Sequence, residues 1–447
     1  MREPSEINQI TTGVIWKQLL KFFFPILFGT FFQMLYNTVD AIIVGQFLGK
    51  QALAAVGGGS GTFINLFIGF FTGLAAGTGV VISQKFGAED KMQVDDAVHT
   101  TLAIGLVSSI LVTILGIASS NWVLHAIDTP SDILSLSLDY LYIYFAGSFT
   151  LIFFNIGTGI FRSIGDSKHP LYFLIAGMIC NIVLDILLIA IIPMGVKGAA
   201  LATVISQGVS MLLCFIWLKK GKNGIEMHFR RIKFHMDQLL PMLRIGLPSG
   251  IQSVMYGLSN IIIQKAINRL GTDTAAAWAA WGKLDAFFWM TISAFGIAIM
   301  TFVGQNYGAR KFDRVKKGIR TSMLQASVST IFFSGIYILA SEYLYRLFTN
   351  DEEVIAIGMR IATIIAPTFI TYVAIEVLSG AIRGAGTSFW PMVISIFGIC
   401  ILRLIYIAVI PYISNTIEAI CLSYPFSWII TSILYIIYYY KGKWLKK

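Results

Sequence analysis

The sequence predicts an all-α integral membrane protein of twelve transmembrane helices, and its composition and apolar runs carry that prediction. Hydrophobic residues make up 56% of its 447 residues, whereas charged residues make up only 13%, against about a quarter in soluble domains. Runs such as 98–124, 171–194 and 388–413 are long and apolar. Because about 20 helical residues cross a hydrocarbon core of roughly 30 Å, each run can span a membrane.

A tandem repeat divides the chain into two six-helix lobes. Arg162 in GTGIFRSIGDSKHP and Arg383 in GAIRGAGTSFWP lie 221 residues apart, and flanking glycine, serine and proline residues repeat at that offset. The segment QKFGA at Gln84 returns as QNYGA at Gln305 with the same spacing. Six spans per half is an even number, so the halves form a parallel pseudo-twofold repeat, an organisation typical of transporters.

Turn-forming and polar residues separate the predicted spans. Breaks fall at Gly49-Lys50, at Pro130, at Pro193-Met194-Gly195 and in the polar stretch 219–237, all of them compositions that end helices. The predicted spans, in order, cover about 18–47, 52–84, 96–120, 132–161, 168–192, 196–219, 239–269, 273–305, 318–341, 352–382, 388–411 and 416–440. They assign 1–218 to an N-lobe, 219–237 to a basic linker and 238–447 to a C-lobe.

The positive charges indicate the orientation of the chain. Most of the 33 lysines and arginines fall on the side that holds both termini, and the other side holds Lys50, Lys197, Arg269 and Arg346. This asymmetry predicts cytoplasmic termini, and a cytoplasmic linker that touches anionic lipid head groups. The net charge of +10 therefore reflects membrane orientation, and nucleic-acid binding is not expected.

Two acids in the first half are the main candidates for a functional site. A charged side chain in hydrocarbon costs several kcal/mol, yet Asp40 lies in span one and Asp185 in span five. Asn181 is about one helical turn before Asp185, and Thr203 in span six lies at a similar depth, roughly 12–14 Å inside the outer helix ends. This all-oxygen set suits a hard cation or a shared proton; a lone threonine, however, more often bonds its own helix.

The second half carries different ionisable residues at its intramembrane positions. The repeat offset carries Asp185 to a tyrosine, and the ionisable residues of these spans are instead Lys265, Lys283, Asp285, Glu376 and Arg403. Glu376 could pair with Arg403 or with Lys265 as a structural ion pair. The two lobes thus share a scaffold but not their chemistry, and ion coupling is expected in the first.

The repeated arginine motifs are interpreted as structural or gating elements. Arg162 and Arg383 follow glycine-rich turns at the inner ends of spans four and ten, where they can bond helix-end carbonyls or lipid phosphate. Neither a phosphate-binding GxxxxGK[ST] loop nor an HExxH or GxSxG motif is present. The four cysteines lie far apart inside apolar runs without CxxC spacing. No cofactor, catalytic residue or further metal site is therefore expected.

These features together resemble the multidrug and toxic compound extrusion (MATE) family over about residues 15–440. The resemblance is carried by NTVDAIIVGQFLG around Asp40, by the QKFGA and QNYGA segments, and by the paired GIFRSIGD and GAIRGAG turns. It implies a secondary antiporter that exports cationic or amphipathic small molecules in exchange for H⁺ or Na⁺. Two lobes would form a V-shaped pair around a cavity that opens alternately inward and outward, with bending near Pro25.

The resemblance also implies which residues bind the coupling ion. Asp40, Asn181, Asp185 and Thr203 stand where the bacterial and archaeal branch has its N-lobe cation site. Another branch has acids where this chain has Tyr256 and Tyr372, so a C-lobe site would need Glu376, one turn from Tyr372, or Asp285.

Other functional classes remain open at this stage. A flippase for lipid-linked precursors or a small-metabolite exporter would fit the basic inner loops and would need cationic residues facing the cavity. An intramembrane enzyme would need a converging nucleophile and base, and none is evident. A channel would show steady conductance. The expected partners are small molecules and membrane lipids, and a monomer is expected.

Overall fold

A computed structural model describes residues 9–220, 227, 229–412, 414 and 416–445, and its regular structure there is entirely helical. The helices of the first half are α1 (Gln9–Thr12), α2 (Ile15–Gly57), α3 (Gly59–Gly87), α4 (Lys91–Ala126), α5 (Ser131–Ala146), α6 (Ser148–Ser163), α7 (Lys168–Asp185) and α8 (Val196–Lys219). Those of the second half are α9 (Met236–Asn268), α10 (Thr272–Leu284), α11 (Ala286–Gly308), α12 (Phe312–Leu339), α13 (Ser341–Arg346), α14 (Glu352–Ile365), α15 (Phe369–Gly384), α16 (Phe389–Ser395), α17 (Leu402–Val409), α18 (Ile417–Cys421) and α19 (Ser423–Lys441).

Short π and 3₁₀ turns complete several of these helices. A π turn extends α7 over Ile186–Ile191, and another joins α16 to α17 over Ile396–Ile401. Single 3₁₀ turns lie at Phe229–Arg231, Ala366–Thr368 and Ile410–Tyr412. The π turn after α7 begins directly behind Asp185, and π turns inside helices are frequent at functional sites.

The prediction of a polytopic all-helical membrane protein is confirmed. Ten helical stretches in the described chain are long and apolar enough to cross a membrane, and α5 with α6 make one more, bent by 50°. With α9, which is 33 residues long, the order matches the twelve predicted spans. The bend between α5 and α6 falls at Gly147, and the repeat offset carries it to the 3₁₀ turn Ala366–Thr368 between α14 and α15, so the break is itself duplicated.

The chain divides into two compact units, and α2 and α9 each pass from one to the other. The first unit contains Phe24–Gly250, and the second contains Gln9–Phe23 together with Ile251–Lys447. The crossing points fall beside Pro25 in α2 and Pro248 in α9. Proline removes a backbone hydrogen bond inside a helix, so each crossing lies close to a turn that has lost one such bond. The predicted lobe boundaries at 218 and 238 are placed from the sequence repeat, and they stay a prediction.

In the second unit, basic side chains hold the start of the chain. The Arg314 guanidinium on α12 donates to the carbonyl oxygens of Ile10 and Gly13, and Lys311 Nζ donates to the Thr11 carbonyl oxygen at 3.0 Å. These carbonyls lie at the end of α1, where a helix leaves its acceptors unsatisfied. The contacts fix the chain immediately before α2 begins.

The predicted linker is described only in part. Residues 221–226 and 228 of the stretch 219–237 lie outside the described residues. Near its end, the Arg231 guanidinium lies 3.5 Å from the Asp95 carboxylate and the His235 ring lies 3.3 Å from the Asp96 carboxylate. The end of the linker therefore packs on the start of α4.

Glycines set the closest helix contact in the first unit, between α3 and the beginning of α9. A Cβ atom at Gly73 would lie 2.4 Å from the Gly250 backbone nitrogen, and one at Gly77 would lie 2.4 Å from the Met242 carbonyl oxygen and 2.5 Å from the Gly246 nitrogen. Two small-xxx-small pairs thus face each other, the arrangement by which membrane helices bring their backbones together. Close packing of α3 against α9 therefore depends on these glycines.

We expect Gly77→Ala to destabilise the protein, because the new methyl group would meet backbone atoms that cannot move without separating the helices. Overpacking of this kind costs about 1–3 kcal/mol. Thermal denaturation of the detergent-solubilised protein, followed by size-exclusion chromatography, measures the effect. Gly29→Ala is the matched control, since a Cβ there has nothing within 4 Å. Equal melting temperatures for both variants would show that this contact is not tight.

Candidate functional site

The two predicted acids of the first unit come together inside the protein. Asp40 on α2 is 8% exposed, and Asp185 at the end of α7 is fully buried. Their carboxyl groups are close enough to interact electrostatically. The sequence placed both acids at one depth, and the structure places them on facing helices.

Hydroxyl groups surround this pair, and the sequence analysis missed most of them. The Tyr36 hydroxyl lies 3.3 Å from Ser206 Oγ, and Ser206 Oγ donates to the Thr203 carbonyl oxygen at 2.9 Å. Tyr36 and Tyr140 both lie within reach of the Thr203 side chain. Tyr36 is four residues before Asp40, so the shared helix face was a signal that could have identified it.

Several oxygens of the cluster lack partners in the described part of the chain. Asp40 Oδ1, both carboxyl oxygens of Asp185 and both amide atoms of Asn181 are buried without a well-aligned hydrogen bond. Buried polar atoms in native proteins are rarely left unpaired. An ionised carboxylate only accepts, so two adjacent carboxylates cannot satisfy each other without a proton or a cation between them.

The donor set limits which ion the cluster could hold. Carboxylate, amide carbonyl and hydroxyl oxygens are ligands for hard cations such as Na⁺, and two adjacent acids can also share one proton. In the described residues, no group of three or more His, Cys, Asp and Glu side chains forms a metal-binding set. A small hard cation or a proton bound between the two carboxylates would therefore remove the repulsion between them.

The second unit contains a separate cavity of about 470 Å³. Three of the four predicted C-lobe residues line it, namely Tyr256 on α9, Tyr372 on α15 and Asp285 between α10 and α11. The fourth, Glu376, does not line it, and instead its carboxylate packs against α11, where a Cβ at Gly296 would lie 2.1 Å from Glu376 Oε1. Glu376 lies one helical turn after Tyr372 on the same face of α15, but it is not among the residues that line the cavity.

Arg403 lines the same cavity, and the predicted ion pair with Glu376 is wrong. Arg403 donates through Nε and Nη2 to Ser427 Oγ, at 3.1 and 2.8 Å. Glu376 interacts electrostatically with Arg383, and Lys265 is exposed. The repeat offset could not reveal this, because it fixes position along each helix but not the neighbour that each side chain faces.

The remaining predicted residues keep structural positions. Arg383 Nε lies 3.4 Å from the Ser379 carbonyl oxygen of its own helix, and its structural or gating role stays a prediction. Arg162 ends α6 with its Nε buried and unpaired in the described residues. Pro25 lies inside α2, which consists of two helical segments joined at a kink at Gly49, the predicted break.

Comparison with known proteins identifies relatives that match between three quarters and all of the chain. The MatE family model matches residues 25–187 and again residues 248–409, one match in each half. Probable multidrug resistance protein YoeA of Bacillus subtilis is 28% identical, over 100% of this chain and 98% of its own. Probable multidrug resistance protein NorM of Thermotoga maritima is 24% identical, over 97% and 94%. Multidrug export protein MepA of Staphylococcus aureus is 22% identical, over 76% and 75%.

Solved structures share the fold. A MOP superfamily transporter from Pyrococcus furiosus superposes with a TM-score of 0.91 at 22% identity and covers 100% of both chains. A MATE structure in the bent conformation gives 0.89 at 22% identity over 96% of both. At this identity the likeness shows the fold alone.

We expect the effects of Asp40→Asn and Asp185→Asn on stability to be non-additive. In Na⁺-free alkaline buffer each change should raise the melting temperature, because it removes one charge and lets an amide donate to the remaining carboxylate. The double variant should gain less than the sum, with a coupling of about 0.5–3 kcal/mol. Asp40→Asn combined with Asp313→Asn, an exposed acid on α12, should add. Additive shifts for the first pair would show that the carboxyl groups do not interact.

Proposed function

Because the chain belongs to the MatE family of multidrug and toxic compound extrusion (MATE) transporters, we propose that it exports cationic or amphipathic compounds in exchange for H⁺ or Na⁺. The observation that carries this proposal is the buried pair Asp40 and Asp185, in which Asp40 Oδ1 and both carboxyl oxygens of Asp185 lack partners in the described residues. The relatives are named multidrug resistance and multidrug export proteins, which supports the choice of substrate class.

The energetic role of the cation follows from the pair itself. Two carboxylates side by side in a low-dielectric interior repel each other and have lost their hydration. A proton or Na⁺ bound between them removes the repulsion and supplies the missing partner. Asn181, Thr203 and Tyr36 would complete the oxygen shell. Cation binding therefore favours the arrangement in which α2 and α7 hold the acids together.

Coupling requires that the cation and the exported compound favour different states of the protein. Asp40 lies on α2, which crosses between the units beside Pro25. A bend there would move Asp40 relative to Asp185 and so connect cation binding to the opening of the lobes. Pro248 marks the corresponding crossing in α9. The lobes would alternate between inward-open and outward-open states in this way.

The proposed setting is a cell membrane crossed with both termini in the cytoplasm. Side chains of α12 such as Leu324, Val328 and Ile331 are more than half exposed and would contact lipid tails. Charge placement along the sequence supports the orientation. No cofactor beyond the coupling ion and no partner chain is required, so a monomer is the proposed unit.

The proposal is tested by efflux from proteoliposomes, driven separately by a Na⁺ gradient and by a pH gradient. We expect at least one gradient to drive export of a cationic dye by the wild-type protein. Asp40→Asn and Asp185→Asn should reduce driven efflux to the rate of protein-free liposomes, because neither variant can form the two-carboxylate site.

Asp132→Asn is the matched control for the same assay. Asp132 is an exposed acid of the first unit, and it accepts a hydrogen bond from Gln51 at 3.3 Å, so its loss should leave driven efflux unchanged. Full efflux by both Asp40→Asn and Asp185→Asn would contradict the proposed cation site. Steady conductance without exchange would instead indicate a channel.

A further inference from the structure

The cavity of the second unit has walls of mainly aromatic side chains. It lies entirely within residues 251–447 and is lined by Trp278, Trp281, Trp289, Trp428, Tyr372 and Tyr424, together with Arg403 and Asp285. At about 470 Å³ it falls in the size range of small-molecule sites. Flat aromatic walls favour a ligand with a flat apolar body, because rings stack at low entropic cost.

Arg403 brings a buried positive charge to this cavity. It is 3% exposed, and in the described residues its contacts are with Ser427 Oγ and with the rings of Tyr424, 4.1 Å from the guanidinium carbon, and Trp428, at 5.7 Å. A hydroxyl and two rings do not neutralise a guanidinium, whose five donors match a carboxylate in a bidentate fork. A buried arginine inside a membrane is costly unless an anion accompanies it.

Asp285 lies on the same wall but does not neutralise Arg403. Its Oδ2 accepts a hydrogen bond from Trp289 Nε1 at 2.9 Å, and the pair forms no ion pair in the described chain. Tyr424 is within electrostatic reach of both charges. The cavity therefore holds a positive and a negative group that form no ion pair with each other in the described residues.

We propose that this cavity binds aromatic compounds that carry a carboxylate, with the carboxylate paired to Arg403 and the ring stacked among the tryptophans. The Asp285 carboxylate would pair with an amino group on the same compound, so the proposed class of ligands includes zwitterions. The inference rests on the proposed export function only where it makes these compounds transported substrates. Their binding to the cavity does not depend on cation coupling. It extends the substrate class from organic cations to aromatic carboxylates.

The test is isothermal titration of the purified full-length protein in detergent with two matched probes. Indole-3-propionate and tryptamine share an indole ring on a short chain and differ in charge. We expect the wild-type protein to bind indole-3-propionate about tenfold or more tightly than tryptamine. Tryptamine lacks the carboxylate that would pair with Arg403, and loss of one partner of a buried charge pair lowers the affinity by that factor or more. This preference is measurable without any variant.

Arg403→Gln should remove the preference, and Arg403→Lys should restore part of it, since lysine keeps the charge but loses the fork. Arg360→Gln, an exposed arginine that pairs with Glu418 at 2.8 Å, is the control and should bind as the wild type does. Size-exclusion elution checks that each variant is folded. Equal binding of both probes by the wild type, tighter binding of tryptamine, or a preference that survives in Arg403→Gln would overturn the proposal.

The two proposals fail in different ways. If Asp40→Asn abolishes driven efflux while the wild type shows no preference for indole-3-propionate, the antiport proposal stands and the carboxylate site is wrong. If the preference depends on Arg403 but neither gradient drives efflux, the cavity is a carboxylate site and the antiport proposal is wrong.

Discussion

A charged side chain that leaves water for the interior of a membrane protein needs a counter-charge or hydrogen-bond donors to replace its hydration. The arrangement of the first unit depends on that constraint. Asp40 and Asp185 face each other across α2 and α7, buried and without basic partners in the described residues. Replacing the hydration of two carboxylates requires a cation, a proton or hydrogen-bond donors. The hydroxyls of Tyr36, Ser206 and Thr203 supply donors near the pair but leave Asp185 oxygens unsatisfied, so the site is suited to exchanging a positive charge.

The same constraint explains why the duplicated scaffold carries different chemistry in its two units. The repeat preserves the arginine turns and the breaks at Gly147 and at Ala366–Thr368, which are demands of backbone geometry. It does not preserve the acids. In the second unit an arginine occupies an aromatic cavity instead. Under the two proposals, the first unit would take up a cation and Arg403 of the second unit would bind an anionic group.

The sequence predicted the fold and the pair of acids, because long apolar runs, a repeat at a fixed offset and acids inside apolar runs can all be recognised from the sequence alone. It did not predict the bend at Gly147, because a glycine inside an apolar run is compatible with a straight helix. The packing of Glu376 beside Gly296 and the contact of Arg403 with Ser427 depend on which helix lies opposite, which periodicity does not specify. Tyr36 was missed because a tyrosine in an apolar helix more often packs than binds.

The central claim is that Asp40 and Asp185 together take up a cation, and cation uptake by the purified protein measures it most directly. Equilibrium binding of radioactive Na⁺, with proton uptake recorded on the same sample as the pH is lowered, distinguishes the two ions. The account predicts that the wild-type protein takes up Na⁺ or protons at this site and that the Asp40→Asn, Asp185→Asn double variant lacks that uptake. Identical Na⁺ binding and identical proton uptake by the two proteins would contradict it.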